Sequence, residues 1–175
     1  MQIIAIKIYQ YDSPIKGEPY KMSNTVLDRF DSTIVEIITN NDITGFGETC
    51  PVGPVYQPQH ALGARAALQE MGPHLIGLNP LLIQNVYDVM DCSLNGHNYA
   101  KAAIDTALWD ICGKFYGARV CDLLGGAVQE SVPSYYSIGV CPVDEAIETA
   151  KRKQNEGYGR IQLKVGGRPV EEDIA

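Results

Sequence analysis

A chain of 175 residues with 45% hydrophobic and 20% charged residues is long enough to bury a sizeable core, in one domain or one and a fraction. Its net charge of −7 favours solubility and excludes the basic footprint that general nucleic-acid binding requires. Five cysteines without a CxxC pair and three scattered histidines form no zinc pattern, and no apolar run approaches the ~18 residues of a membrane span.

The N-terminal MQIIAIKIYQYD lacks the charged-then-apolar layout of a signal peptide. Unpaired thiols fit a reducing compartment, so a cytoplasmic protein is expected. Residues 2–11, rich in Ile and Tyr, predict a strand. Residues 13–24 contain Pro14, Gly17 and Pro19 and read as a long loop. The run STIVEIIT at 32–39 is strongly β-branched. Asn40-Asn41-Asp42 supplies turn chemistry, and 43–50 pair back, which completes three antiparallel strands. A second loop follows over 50–58, with Pro51, Gly53, Pro54 and Pro58.

An Ala-rich helix over 59–71 is predicted to stop at Gly72-Pro73, and Asn79-Pro80 to open a helix reaching Asp91. The strongest helical pattern covers 98–116. Ala100, Ile104, Ala107, Leu108, Ile111 and Phe115 recur at helical spacing, and Gly117 ends it. After Leu123-Leu124-Gly125-Gly126 the pattern changes. A strand over 132–139, a helix over 142–156 and a strand over 160–165 make one β-α-β unit of about 30 residues. Residues 171–175 look like the first turn of another helix. A barrel takes eight such repeats and typically about 250 residues. The expectation is therefore an α+β unit over 1–125, followed by a barrel over 126–175 that is incomplete.

This order of parts resembles the mandelate racemase and muconate lactonizing enzyme family of the enolase superfamily. Four matches carry the resemblance. They are Gly45-Phe46-Gly47-Glu48, the helix AKAAIDTALWD at 100–110 followed by Gly113-Lys114, Leu123-Leu124-Gly125-Gly126, and Gln162-Leu163-Lys164-Val165-Gly166 at the place of the family's KxK strand. Together they span essentially the whole chain. Two positions depart from the pattern: Arg119 stands where a small residue or Pro is usual, and Gln162 where many members have Lys. Within the family the chain is most similar to the proline-betaine racemase and 4-hydroxyproline-betaine 2-epimerase group. Glu48-Thr49-Cys50-Pro51, Tyr56 and Gly96-His97-Asn98-Tyr99 support this. In that group Gln-x-Lys replaces Lys-x-Lys. The resemblance implies an α+β capping domain, a three-stranded antiparallel meander plus helices, and then the first β/α units of a truncated TIM-type barrel.

The implied chemistry is removal of the proton next to a carboxylate, by a Lys or His base with Mg²⁺ on the developing enediolate. Lys164 takes the part of one base, at the C-terminal end of a barrel strand. Strand periodicity puts Gln162 on the same face. A Lys at 162 would supply a cation that favours a neutral partner lysine; Gln162 cannot, but it could hydrogen-bond a substrate carboxylate. Tyr56 offers an aromatic face to a quaternary ammonium, and Tyr20 is a second such aromatic. The Mg²⁺ ligands are expected beyond residue 175. Asp105, Asp110 and Glu48 match capping-domain positions and receive no metal role. His97 is expected to cap a helix or lie at the surface, and Cys50 has no base beside it. The implied partner is a small carboxylate, with a betaine among the candidates and neither nucleic acid nor membrane involved, and the full-length protein is expected to be a homo-oligomer. A dehydratase of a hydroxyproline or sugar acid is the alternative on the same scaffold. The 175 residues alone are expected to be an inactive fragment.

Overall fold

The computed structural model describes residues 1–53 and 55–174; Pro54, expected in the second loop, and Ala175, expected in the final helical turn, lie outside the described residues. In chain order the elements are β1 (Ile3–Pro14), β2 (Tyr20–Lys21), β3 (Val26–Leu27), β4 (Arg29–Thr39) and β5 (Thr44–Thr49). Then come α1 (Ala61–Leu75), α2 (Ile83–Ser93), α3 (Asn98–Tyr116), α4 (Val120–Leu123), β6 (Tyr136–Ile138), α5 (Val143–Asn155), β7 (Ile161–Leu163) and α6 (Val170–Asp173). They fall into two units. Met1–Ser13 with Phe30–Ala127 forms one, and Pro14–Arg29 with Val128–Ala175 forms the other.

In the first unit β1, β4 and β5 form the expected antiparallel sheet in the order β1-β4-β5. Alternation along β4 buries Thr33, Val35, Ile37 and Thr39. Glu36 faces the other way, where the Tyr9 hydroxyl donates to it at 2.6 Å and Lys7 lies 3.5 Å away. In β5, Gly47 stands opposite Val35 and Gly45 opposite Ile37. These glycines leave a bare strip on the buried face, and α3 lies in it. A Cβ at Gly47 would collide with the Ala103 carbonyl, and one at Gly45 with that of Ala107. Because β5 is an edge strand, its outward amides need partners from elsewhere. The Phe46 amide donates to Asp110 at 2.8 Å, and Lys114 reaches both Asp110 and the Thr44 carbonyl at 2.7 Å.

Leu68, Met71 and Leu75 of α1, Val86 and Met90 of α2, and Ile104, Leu108 and Ile111 of α3 close the core over Ile3, Val35 and Ile37. The Lys101 stem is also in this core, 1% exposed, and its ammonium reaches Asp91 at 2.6 Å. Arg65 of α1 forks onto Asp31 of β4 at 2.7 and 2.9 Å. That hydrogen-bonded guanidinium holds the Asp31 carboxyl below its ordinary range.

Two helix boundaries differ from the sequence expectation. α1 runs through Gly72-Pro73 to Leu75. Gly72 has no Cβ for the Pro73 ring to strike, and full burial of Met71 and Leu75 holds the last turn in place. Asn79-Pro80 makes a turn rather than a helix start. Its side-chain oxygen accepts from the Leu81 amide and its carbonyl from the Leu82 amide, both at 3.1 Å, so α2 begins at Ile83. The short α4 was not anticipated; Arg119 forks onto Asp122 across it at 2.8 and 2.9 Å.

In the second unit β6 and β7 pair in parallel, with Tyr136 opposite Ile161, Ser137 opposite Gln162 and Ile138 opposite Leu163. The strands are shorter than the predicted 132–139 and 160–165 because only these three rungs meet. α5 makes the crossover. Asp144 and Glu145 lie in its first turn and Arg152 and Lys153 in its last, matching the helix dipole. The segment expected to be a loop over 13–24 carries a hairpin, in which Tyr20 pairs with Leu27 and Lys21 with Val26. Further bonds from Met22 N to Thr25 O, 2.9 Å, and from Ile15 N to Asp28 O, 3.1 Å, hold it.

Two stability measurements test this architecture. Gly47→Ala should lower the stability seen by Trp109 fluorescence in urea by roughly 2–3 kcal/mol, the cost of forcing atoms into a filled interior. Gly159→Ala, where a Cβ meets open space, should change it little. Asp31, with its carboxyl held low, stabilises the fold above the unfolded-state range and loses that contribution as pH falls through its folded value. Asp31→Asn should therefore cost about 1 kcal/mol at neutral pH, a surface-scale figure because Asp31 is 40% exposed. In acid titrations of thermal stability the difference should close below about pH 4.

Candidate active site

The C-terminal ends of β6 and β7 gather the polar groups of the second unit. Ser137 and Gln162 are rung partners, so their side chains share one face, and Lys164 returns to that face two residues on. Lys164 is itself fixed by its amide, which donates to the Ile138 carbonyl at 3.0 Å. Gln162 is exposed and Lys164 half-buried.

The hairpin at 14–29 docks on these ends. The Val140 amide donates to the Lys21 carbonyl at 3.1 Å. A Cβ at Gly139 would lie 3.1 Å from the same oxygen, and one at Gly167 would lie 2.5 Å from the Ser23 carbonyl. Gly167 also has φ +80°, open to glycine at no steric cost. The Tyr20 hydroxyl is 2.8 Å from Ser137 Oγ, and Lys164 Nζ is 6.0 Å from the Tyr20 ring centroid.

A clasp holds the loops that follow the two strands. Arg168 donates to the Cys141 carbonyl at 2.7 Å and pairs with Asp173 at 2.5 Å, both side chains largely buried. The second Asp173 oxygen accepts from the Gly166 amide at 2.7 Å. Hydrogen bonding from Arg168 holds the Asp173 carboxyl low.

The other residues singled out in the sequence lie in the first unit. Tyr56 is 58% exposed, and its amide closes a turn onto the Gly53 carbonyl at 3.1 Å. His97 is the N-cap residue of α3, in the left-handed region at φ 54°; its ring meets the Asn95 carbonyl rather than the helix amides. Burial pushes the Cys50 thiol up, away from the reactive thiolate. Burial also pushes up the Asp105 carboxyl, while Asp110 serves the β5 edge and Glu48 accepts from the Ser32 hydroxyl. Among the described residues no group of three or more His, Cys, Asp or Glu could hold a metal ion. The donors present on the β6–β7 face are an amide, a hydroxyl and an amine, which do not fit Mg²⁺, a cation that takes carboxylate oxygens.

Sequence reasoning passed over Ser137 and the clasp. Ser137 carried a usable signal, a hydroxyl two residues before the glycine that ends its strand. Arg168 and Asp173 carried none, because a five-residue separation outside a helix predicts no contact.

The family model for the mandelate racemase / muconate lactonizing enzyme N-terminal domain matches residues 3–125. The chain belongs to this family. A cis-3-hydroxy-L-proline dehydratase from Roseibium aggregatum is 46% identical over 95% of the chain and 46% of its own length. An N-succinyl-L-Arg/Lys racemase from Bacillus cereus is 32% identical over 99% of the chain and 47% of its own length. A mandelate racemase/muconate lactonizing enzyme structure from Roseovarius nubinhibens, complexed with magnesium, superimposes with a TM-score of 0.89 at 35% identity, over 98% of this chain and 46% of that one. The chain thus spans about half the length of the relatives it matches. These family members are enzymes with differing reactions, a dehydratase and a racemase among them.

The clasp is testable by hydrogen exchange. Asp173→Asn should speed exchange of the Gly166 amide by roughly tenfold or more, the scale of one lost hydrogen bond to a charged group. In the parent chain the same amide should lose protection as pH falls through the lowered Asp173 value.

Proposed function

We propose that the whole protein is a Mg²⁺-dependent racemase or epimerase that removes the α proton of a carboxylate substrate, proline betaine or hydroxyproline betaine, with Lys164 as one base. The placement of Lys164 carries this reading: it stands at the C-terminal end of the second parallel strand, half-buried, on one face with Gln162 and Ser137. A base at a strand end can be held steady while its amine meets a substrate over the sheet. Lys164 takes the α proton on Nζ, and the C–H electron pair passes into the carboxylate as an enediolate. Gln162 can donate its amide N–H to that carboxylate. Tyr56 is our candidate for the aromatic face that receives a quaternary ammonium, which offers no hydrogen to a polar partner. The described residues do not supply a Mg²⁺ site, and we place its ligands, with the second base that racemisation needs, outside these 175 residues.

Dehydration is the second reading, favoured by the 46% identity to the cis-3-hydroxy-L-proline dehydratase. It begins with the same α-proton removal. The enediolate pair then re-forms a C=C bond as the neighbouring C–OH bond breaks, and the hydroxyl leaves as water with one proton. Lys164 keeps its role under either outcome.

Incubation of the full-length protein in D₂O with proline betaine, hydroxyproline betaine and cis-3-hydroxy-L-proline separates the two. Deuterium at the α carbon of a betaine, followed by NMR, is the expected result. Loss of the hydroxyl from the hydroxyproline alone would move the assignment to the dehydratase, and neither reaction would refute both. Lys164→Met should slow whichever reaction is seen by roughly 10³-fold, the scale of a general base.

A further inference from the structure

The sequence offers Tyr20 as an aromatic face for a cationic substrate, and in the structure a lysine of the protein itself lies over that ring. Lys164 Nζ lies 6.0 Å from the ring centroid, at the outer reach of cation–π attraction. The ring is not free to swing. Its hydroxyl is 2.8 Å from Ser137 Oγ, a residue 117 positions away in sequence. Its backbone is fastened next door, where the Lys21 carbonyl accepts from the Val140 amide and Gly139 gives the room for that approach. Tyr20 is thus held at both ends, by its hydroxyl and by the neighbouring peptide. Lys164 is held by its amide, while its four-carbon stem keeps its rotatable bonds. A lysine fixed at one end needs a wall at the other if its amine is to occupy one place. Ser137 and Gln162 sit side by side on the β6–β7 face, so a ring tethered to Ser137 stands over the face from which Lys164 acts.

We propose that Tyr20 is a positioning residue for Lys164, its ring tethered through the hydroxyl to Ser137 and confining the lysine amine to the face shared with Gln162. This rests on Lys164 being a base, but it can be measured without catalysis. The full-length protein is reductively methylated with ¹³C on its lysines, which keeps their charge. The Lys164 signal is identified by its loss in Lys164→Arg. The expected Lys164 methyl signal is shifted upfield by the ring, away from exposed lysines such as Lys151. Tyr20→Leu should return it to the exposed-lysine position. Tyr20→Phe should retain most of the shift, because the ring remains, and Ser137→Ala should retain it with a broader line, because the tether is gone.

An unmoved Lys164 signal in Tyr20→Leu would overturn the proposal. So would a Tyr20→Phe spectrum as displaced as that of Tyr20→Leu, since the ring would then not be the agent. If Tyr20→Leu does not fold, Ser137→Ala decides: an unchanged position and line width sinks the tether. Should Lys164→Met retain α-proton exchange, the base assignment falls, and the methyl spectra still judge Tyr20 on its own.

Discussion

The first unit depends on a bare strip of backbone. Gly45 and Gly47 present no side chains on the buried face of β5, and the carbonyls of Ala103 and Ala107 occupy the space. Opposite them Val35 and Ile37 fill the rest of that face, so sheet and helix meet as large against small. Ordinary side chains at 45 and 47 would lift α3 away from the sheet and open the core that α1 and α2 complete. The close approach also brings Asp110 and Lys114 within reach of the β5 edge, where they take the Phe46 amide and the Thr44 carbonyl. One spacing between two elements thus sets the packing, the edge protection and the register of the motif that identifies the family.

The second unit uses glycine for a related purpose. At Gly139 and Gly167 the absent Cβ admits backbone from the 14–29 hairpin rather than a helix. Backbone-to-backbone docking needs no particular side chain on the hairpin, which leaves Tyr20 available to face the strand ends. The Arg168–Asp173 pair then stiffens the loops from which Lys164 emerges. An ion pair with both partners largely buried is strongly directional, because each remaining oxygen and N–H must find its own partner. Asp173 satisfies this with Gly166, and Arg168 with Cys141.

Much of the first unit was legible in the sequence. The β-branched run at 32–39 and the helical spacing at 98–116 are strong local signals, and both elements stand where they were expected. Boundaries set by tertiary burial were not legible: α1 passes through Gly72-Pro73 because Met71 and Leu75 are buried beneath it. The strands of the second unit are shorter than their sequence suggests, because strand length depends on which neighbour is present and not on β propensity alone. Lys164 and Gln162 were placed on one face by periodicity, and the ladder puts Ser137 beside them. The hairpin carries no local signal, because its two-residue strands leave no periodic trace. Its attachment is non-local, and no window along the chain contains both Tyr20 and Ser137.

That attachment has a consequence for how the molecule is made. The hairpin interrupts the polypeptide between β1 and β4, so the second unit is assembled from two separate stretches of chain. During synthesis Tyr20 emerges early, yet its partner is 117 residues downstream. The whole helical layer must be translated in between. Closing so wide a span is entropically costly until other contacts have drawn the ends together. Folding of β4, β5 and the three long helices, all of which lie within that span, is the natural agent, and the hairpin should remain unanchored on the ribosome until β6 and β7 follow.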